Sequence, residues 1–161
     1  MGLSELETFT WDDFGIGARE LASMVYASGF TPDVVLAIAR GGLLPAGAVA
    51  YALDTKNIVA VNVEFYTGVD ERLDVPVMLP PFMTGDLIMG GNVLVVDDVA
   101  DTGQTLDLVK RFCAEHGAVV RCAVLYEKSR SVVKCEYVWR RTDKWIDFPW
   151  SNEPPVNRQP A

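Results

Sequence analysis

The sequence predicts an α/β domain built on a mainly parallel twisted sheet flanked by helices. Three observations carry that expectation. Short, almost wholly apolar runs such as DVVLAIA (33–39) and NVLVVDD (92–98) fit strands covered on both faces. Helical stretches alternate with them, the order that parallel sheets require. Polar turns follow Ala39, Val96 and Leu125, and open α/β sheets bind ligands at the carboxyl ends of their strands.

The elements can be justified in chain order. TWDDFGIGARELASMVYASG (10–29) predicts an opening helix. Thr10 with Asp13 forms a capping box, Phe14, Leu21 and Val25 mark an apolar face, and Gly29 is the stop. After the strand at 33–39, RGGLLPAG leads into a small-residue helix over about 43–53, and NIVAVNVEF (57–65) predicts the next strand. From Tyr66 to Gly91 no period is sustained. A loop this long in a compact domain is usually functional, often a lid. QTLDLVKRFCAEHG (104–117) predicts a helix ended by glycine, AVVRCAVLYEK (118–128) a strand and KCEYVWR (134–140) a shorter one. KWIDFPWSNEPPVNRQPA is expected to close the chain as an extended or frayed tail.

The bulk properties narrow the function. A chain of 161 residues with 50% hydrophobic content supports a single domain, 1–161, with a full core. A net charge of −8 disfavours a general nucleic-acid or anionic-membrane binder. Cys113, Cys122 and Cys135 are odd in number and form no CxxC pair, so packed, reduced thiols are expected. His116 falls at a helix end, which makes histidine catalysis a poor reading. No leader-like segment opens the sequence and no apolar run approaches a membrane span, so a cytoplasmic location is expected.

The stretch VLVVDDVADTGQT (93–105) carries the chemistry. It sets Asp97, Asp98 and Asp101 beside Thr102-Gly103-Gln104-Thr105 at the start of a helix. Unpaired N–H groups at a helix N-terminus bind phosphate without a basic side chain. Gly103 lets the backbone approach, and the Thr102 and Thr105 hydroxyls add donors. The carboxylates suit vicinal sugar hydroxyls, directly or through Mg²⁺. Together they describe a phosphorylated sugar carrying a metal; the simpler reading is helix capping. Arg40, followed by Gly41-Gly42, is a second anion candidate. GDLIMGG (85–91) lacks the Lys-Ser/Thr of a P-loop, and GIGARE (15–20) lacks the third glycine of a dinucleotide fingerprint.

VLVVDDVADTGQT resembles the phosphoribosyl-pyrophosphate (PRPP) signature of the type I phosphoribosyltransferases, and AIARGGLLPAG (37–47) that family's pyrophosphate loop. YEKS (126–129) followed by KWIDFPW (144–150) resembles the base-binding portion of its bacterial 6-oxopurine members. The resemblance implies the type I fold with a small C-terminal hood (about 128–161) over the base and a flexible lid (about 66–91). It implies transfer of a phosphoribosyl group from PRPP to N9 of guanine, xanthine or hypoxanthine, with Mg²⁺ as cofactor. Asp97 and Asp98 would bind the ribose hydroxyls, and residues 102–105 the 5′-phosphate. Arg40 and Gly41 would bind pyrophosphate, and Asp101 would handle the proton at purine N7. Lys128 would meet the 6-oxo group, Trp145 would stack on the base and the Ile146 backbone would meet its edge. Asp97, Asp98 and Asp147 would be the metal ligands. Trp139 and Trp150 are expected to pack, in the core or at an interface. Tyr66 and Arg72 are the lid's candidate contacts, and a homodimer or homotetramer is implied. The same platform would also serve adenine, a pyrimidine or orotate, or a PRPP-sensing regulator that binds nucleic acid.

Overall fold

The computed structural model describes residues 5–67, 72–79 and 88–158, without the side chains of 66–67 and 72–74. Its elements run β1 (Leu6–Thr8), α1 (Trp11–Ala27), β2 (Val34–Ala39), α2 (Leu43–Ala52), β3 (Ile58–Thr67), β4 (Arg72–Leu79), β5 (Asn92–Ala100), α3 (Gln104–Glu115), β6 (Val119–Glu127), β7 (Tyr137–Arg141) and β8 (Trp145–Asp147). A single 3₁₀ turn, Val156–Arg158, follows. The main sheet has the order β4-β3-β2-β5-β6-β7. Every pairing in it is parallel except β3 with β4.

Alternation along the central strands explains why their sequences read as unbroken apolar runs. Val35, Ala37, Leu94, Val96, Ala123 and Leu125 face one way, into a core shared with Leu21 and Val25 of α1 and Ala46 and Val49 of α2. Leu36, Ile38, Val93, Val95, Cys122 and Val124 face the other, against Leu106, Val109 and Cys113 of α3. Successive strand side chains alternate faces, so a sheet covered on both sides has no polar register. Helix α1 starts with the predicted capping box, Thr10 accepting from the Asp13 N–H while Asp13 reaches back to Thr10. All three thiols are free and buried, as expected, and burial pushes Cys113 up to about 11.

The structure departs from the sequence reading in several places. Part of the segment read as patternless is strand: β3 runs on to Thr67, and β4 returns antiparallel to it. Pro76 hid this strand, yet it pairs opposite Phe65 on the sheet edge, where a residue without an N–H is tolerated. The rest of the segment expected to act as a lid, 68–71 and 80–87, lies outside the described residues, as do the side chains of Tyr66 and Arg72. Strand β5 holds Asp97 and Asp98, as the strand read over 92–98 does, but runs on to Ala100, so the polar turn follows Ala100 rather than Val96. β6 matches the strand read over 118–128, so its polar turn follows Glu127 rather than Leu125, and the last main-sheet strand begins only at Tyr137.

The C-terminal segment is not a frayed tail up to Trp150. β8 pairs in parallel with β1, joining Trp145, Ile146 and Asp147 to Leu6, Glu7 and Thr8. Phe9, next in line, is 1% exposed and meets Tyr126, Trp139, Phe148 and Trp150 edge-on, with centroids 5.6–5.9 Å apart. Trp139 and Trp150 are therefore packing residues, and the Trp139 indole N–H also donates to Glu20 at 2.6 Å. Neither β1 nor β8 has three hydrophobic residues in a row, and each exists because the other pairs with it.

Truncating this aromatic anchor tests the arrangement. Phe9→Ala is expected to cost about 3–5 kcal/mol. At roughly 2–4 °C per kcal/mol for a chain of this size, that lowers the thermal midpoint by about 10 °C, read by circular dichroism.

Candidate active site

Two cavities meet at the carboxyl ends of β5 and β6. The larger, about 570 Å³, is lined by Asp97, Asp101 and residues 102–106 among others, with Phe65 from β3 on its far wall. The smaller, about 250 Å³, is lined by Asp98, Asp101, Lys128 and residues 145–148. Val99 and Asp101 line both. The residues singled out on β5, α3, the β6–β7 loop and β8 are thus brought together by the structure.

The larger cavity is walled by the start of α3. Gly103 caps the helix with φ of +81°, and no side chain bonds the helix's first N–H groups from that position. A left-handed backbone favours glycine, and packing demands it as well. A Cβ on Gly103 would lie 2.5 Å from Ser131 Oγ and 2.8 Å from the Val132 and Val133 nitrogens. The Thr102 hydroxyl accepts weakly from the Gln104 N–H at 3.4 Å, and the N–H groups of this helix end form a dipole-aided cradle for an anion.

Asp97 and Asp98 emerge where the apolar cover of β5 stops. Each is half-buried. The Asp98 N–H donates to Asp97 Oδ1 at 2.9 Å, and the Val99 N–H to Asp98 Oδ1 at 2.8 Å. Burial, followed by the neighbouring Asp98 charge, pushes Asp97 well above the usual carboxylate range. Burial raises Asp98 too, against the hydrogen bonds it accepts. Among the described residues neither forms an ion pair.

The turn after β2 reaches the same place. A Cβ on Gly41 would fall 2.2 Å from the Asp98 carboxylate, and one on Gly42 would strike the Ile38 and Val96 carbonyl oxygens at 2.5 and 2.6 Å. The double glycine therefore lets this turn lie directly against β5. Exposed Arg40 stands at its head, and the Ala39–Arg40 peptide bond is cis.

Lys128 is 8% exposed and its ammonium lies 5.6 Å from the Trp145 ring centroid, while Trp145 itself is 63% exposed. A buried cation and an open indole face make a platform for a flat, polar ring. Ile146 is buried beneath it. The Lys128 backbone is tied to β5 by its N–H bond to Ala100 O, 2.9 Å.

Sequence reasoning missed Arg130. Its Nε donates to Asp101 Oδ1 at 2.7 Å. The only hint in the sequence is a second basic residue two positions after Lys128. His116 closes α3 as expected, with Nδ1 2.8 Å from Phe112 O, and lines neither cavity.

This combination of an open α/β sheet, an anion cradle on α3 and paired carboxylates at the end of β5 matches a known class. Residues 7–156 match the phosphoribosyl transferase domain, and the chain belongs to that family. The fold and site define a phosphoribosyltransferase. A xanthine-guanine phosphoribosyltransferase of Gluconobacter oxydans is 30% identical over 148 residues, 91% of this chain and 85% of the relative. One from Roseobacter denitrificans is 34% identical over 153 residues, 88% and 82% of the two chains. The structure of a purine phosphoribosyltransferase from Pyrococcus horikoshii superposes with a TM-score of 0.81 at 33% identity, covering 94% of this chain and 98% of that one.

The raised carboxyls make a signed prediction. A carboxyl whose folded pKa exceeds its unfolded value binds extra protons in the native state. Stability then falls as pH rises from the ordinary value of 3.8 through the folded one. Asp97→Asn removes this charge and keeps an acceptor for the Asp98 N–H. Its thermal midpoint is expected to exceed that of the parent by a few degrees at pH 8, the difference shrinking towards pH 5.

Proposed function

We propose that the enzyme transfers the 5-phosphoribosyl group of PRPP to N9 of a 6-oxopurine, namely guanine, xanthine or hypoxanthine, and releases pyrophosphate in purine salvage. The observation that carries this reading is the shared position of Asp101, which lines both the α3 cradle and the Lys128–Trp145 pocket. A sugar phosphate in one and a purine in the other would meet at that carboxylate. The bacterial relatives are named for xanthine and guanine, two of these three bases.

In this reading residues 102–105 hold the 5′-phosphate, and Asp97 and Asp98 accept hydrogen bonds from the ribose 2′- and 3′-hydroxyls. Arg40 and the Gly41 backbone hold the pyrophosphate. Trp145 stacks on the base, the Ile146 backbone meets its edge and the Lys128 ammonium donates to the 6-oxo oxygen, a role that adenine's amino group could not fill. The C1–O bond breaks with its electron pair leaving on pyrophosphate, and N9 attacks C1. Asp97 and Asp98 offset the positive charge that develops on the ribose. Asp101 accepts at the N7 edge and takes up the base's proton. The chain between β3 and β5 is assigned the task of excluding water from the cationic sugar.

Asp97 and Asp98 fit Mg²⁺. They are adjacent, raised by burial and without an ion pair. When bound, Mg²⁺ supplies positive charge that offsets the pyrophosphate. Asp147, which lines the smaller cavity with Asp98, is assigned to a second ion. We further place the enzyme in the cytosol, where three buried free thiols stay reduced, as a homodimer or homotetramer.

The test is pyrophosphate release with PRPP and Mg²⁺ on guanine, xanthine, hypoxanthine, adenine, uracil and orotate in turn. Turnover is expected with 6-oxopurines alone, and turnover with adenine or orotate instead would overturn the assignment. Lys128→Ala is expected to raise KM for the base about tenfold or more, the loss of one charged hydrogen bond. KM for PRPP should change far less.

A further inference from the structure

Asp101 is gripped by one oxygen only. Arg130 Nε donates to Oδ1 at 2.7 Å, a terminal guanidinium nitrogen reaches the same oxygen at 2.5 Å, and the Lys128 ammonium stands 3.8 Å from it. Among the described residues no protein group bonds Oδ2. The loop that carries Arg130 is itself held at several points. The Ser129 N–H and hydroxyl donate to Asp143 at 2.8 Å, the Ser131 N–H to Lys128 O at 3.1 Å, and the Val132 N–H to Thr102 O at 2.9 Å. Arg130 is thus a fixed fork rather than a free surface arginine.

We infer that Arg130 is a positioning residue for base recognition, holding Asp101 by Oδ1 so that Oδ2 is presented to the N7 edge of the purine. This rests on the proposed placement of N7 at Asp101. A carboxylate can rotate about its last bond, and only one orientation presents a lone pair to the base. Two converging donors on one oxygen remove that freedom. Lys128 cannot do this alone, because 3.8 Å is too long for a hydrogen bond and its ammonium is also needed by the 6-oxo group. The Arg130 side chain is 63% exposed, and exposed ion pairs add little to stability. Its effect is therefore expected in ligand discrimination rather than in folding.

Two unreactive-edge analogues read this out. 9-Deazaguanine carries an N–H at position 7 that a carboxylate accepts, whereas 7-deazaguanine carries a C–H there. Both keep the 6-oxo and 2-amino groups. Dissociation constants are measured by calorimetry on protein saturated with Mg²⁺ and pyrophosphate, so that no transfer occurs. The parent is expected to prefer the 9-deaza compound by about tenfold, the size of one charged hydrogen bond. Asp101→Ala should abolish the preference. Arg130→Gln should cut it to about threefold or less at an unchanged thermal midpoint, and Arg130→Lys, which keeps the charge but lacks the planar fork, should restore it only in part. A merely structural role would weaken both analogues equally and leave their ratio intact. Full parental preference in Arg130→Gln overturns the inference while leaving the Asp101 assignment standing. No preference in the parent, or one that survives in Asp101→Ala, overturns the N7 placement and the inference with it.

Discussion

Strand β5 must end in charge. It lies between β2 and β6 with Val93 to Val96 wholly buried, then delivers two adjacent carboxylates with no protein cation paired to either among the described residues. Such a pair is costly in the free protein, which is why burial drives both carboxyls upward. The cost is tolerable only near the carboxyl end of the strand, where ligand or solvent can reach. The carboxylate pair is in this sense a defect in the hydrophobic core, held open by the strand pairing on either side.

The neighbouring turns are shaped around that defect. Gly41 and Gly42 carry no side chain because Asp98 and the β5 backbone occupy the space. Gly103 carries none because the loop after β6 presses against it. Backbone bonds from Lys128 to Ala100 and from Val132 to Thr102 fasten that loop to the end of β5 and the start of α3. The cavity at the start of α3 and the cavity beside Lys128 and Trp145 thus share a wall, with Val99 and Asp101 lining both.

The C-terminal segment depends on a different kind of order. The chain's first strand pairs with its last, and Phe9 packs between β6, β7 and the segment after β8. This sets the indole of Trp145 outward while Ile146 and Phe148 turn inward. Alternation on a three-residue strand is enough to separate a stacking surface from a core.

Much of this was legible in the sequence. The double-sided strands announce themselves as apolar runs, the capping box marks α1, and the DDVADTGQT stretch names its own carboxylates, glycine and hydroxyls. These are local signals, set by side-chain chemistry within a dozen residues. The edge strand β4 was not legible, because Pro76 and the acidic residues before it break the pattern that only pairing with β3 makes tolerable. Nor was the β1–β8 pair, whose strands of three residues have too few bonds to specify themselves. Arg130 is an ordinary loop arginine until Ser129, Ser131 and Val132 are tied down and its guanidinium falls on Asp101. The sequence by itself determined the sheet's core, the anion cradle and the chemical types at the site. Only the tertiary structure decided which carboxylate oxygen stays open, which tryptophan faces out and how two cavities come to share one aspartate. Those depend on contacts between segments far apart in the chain, whose distances no local pattern encodes.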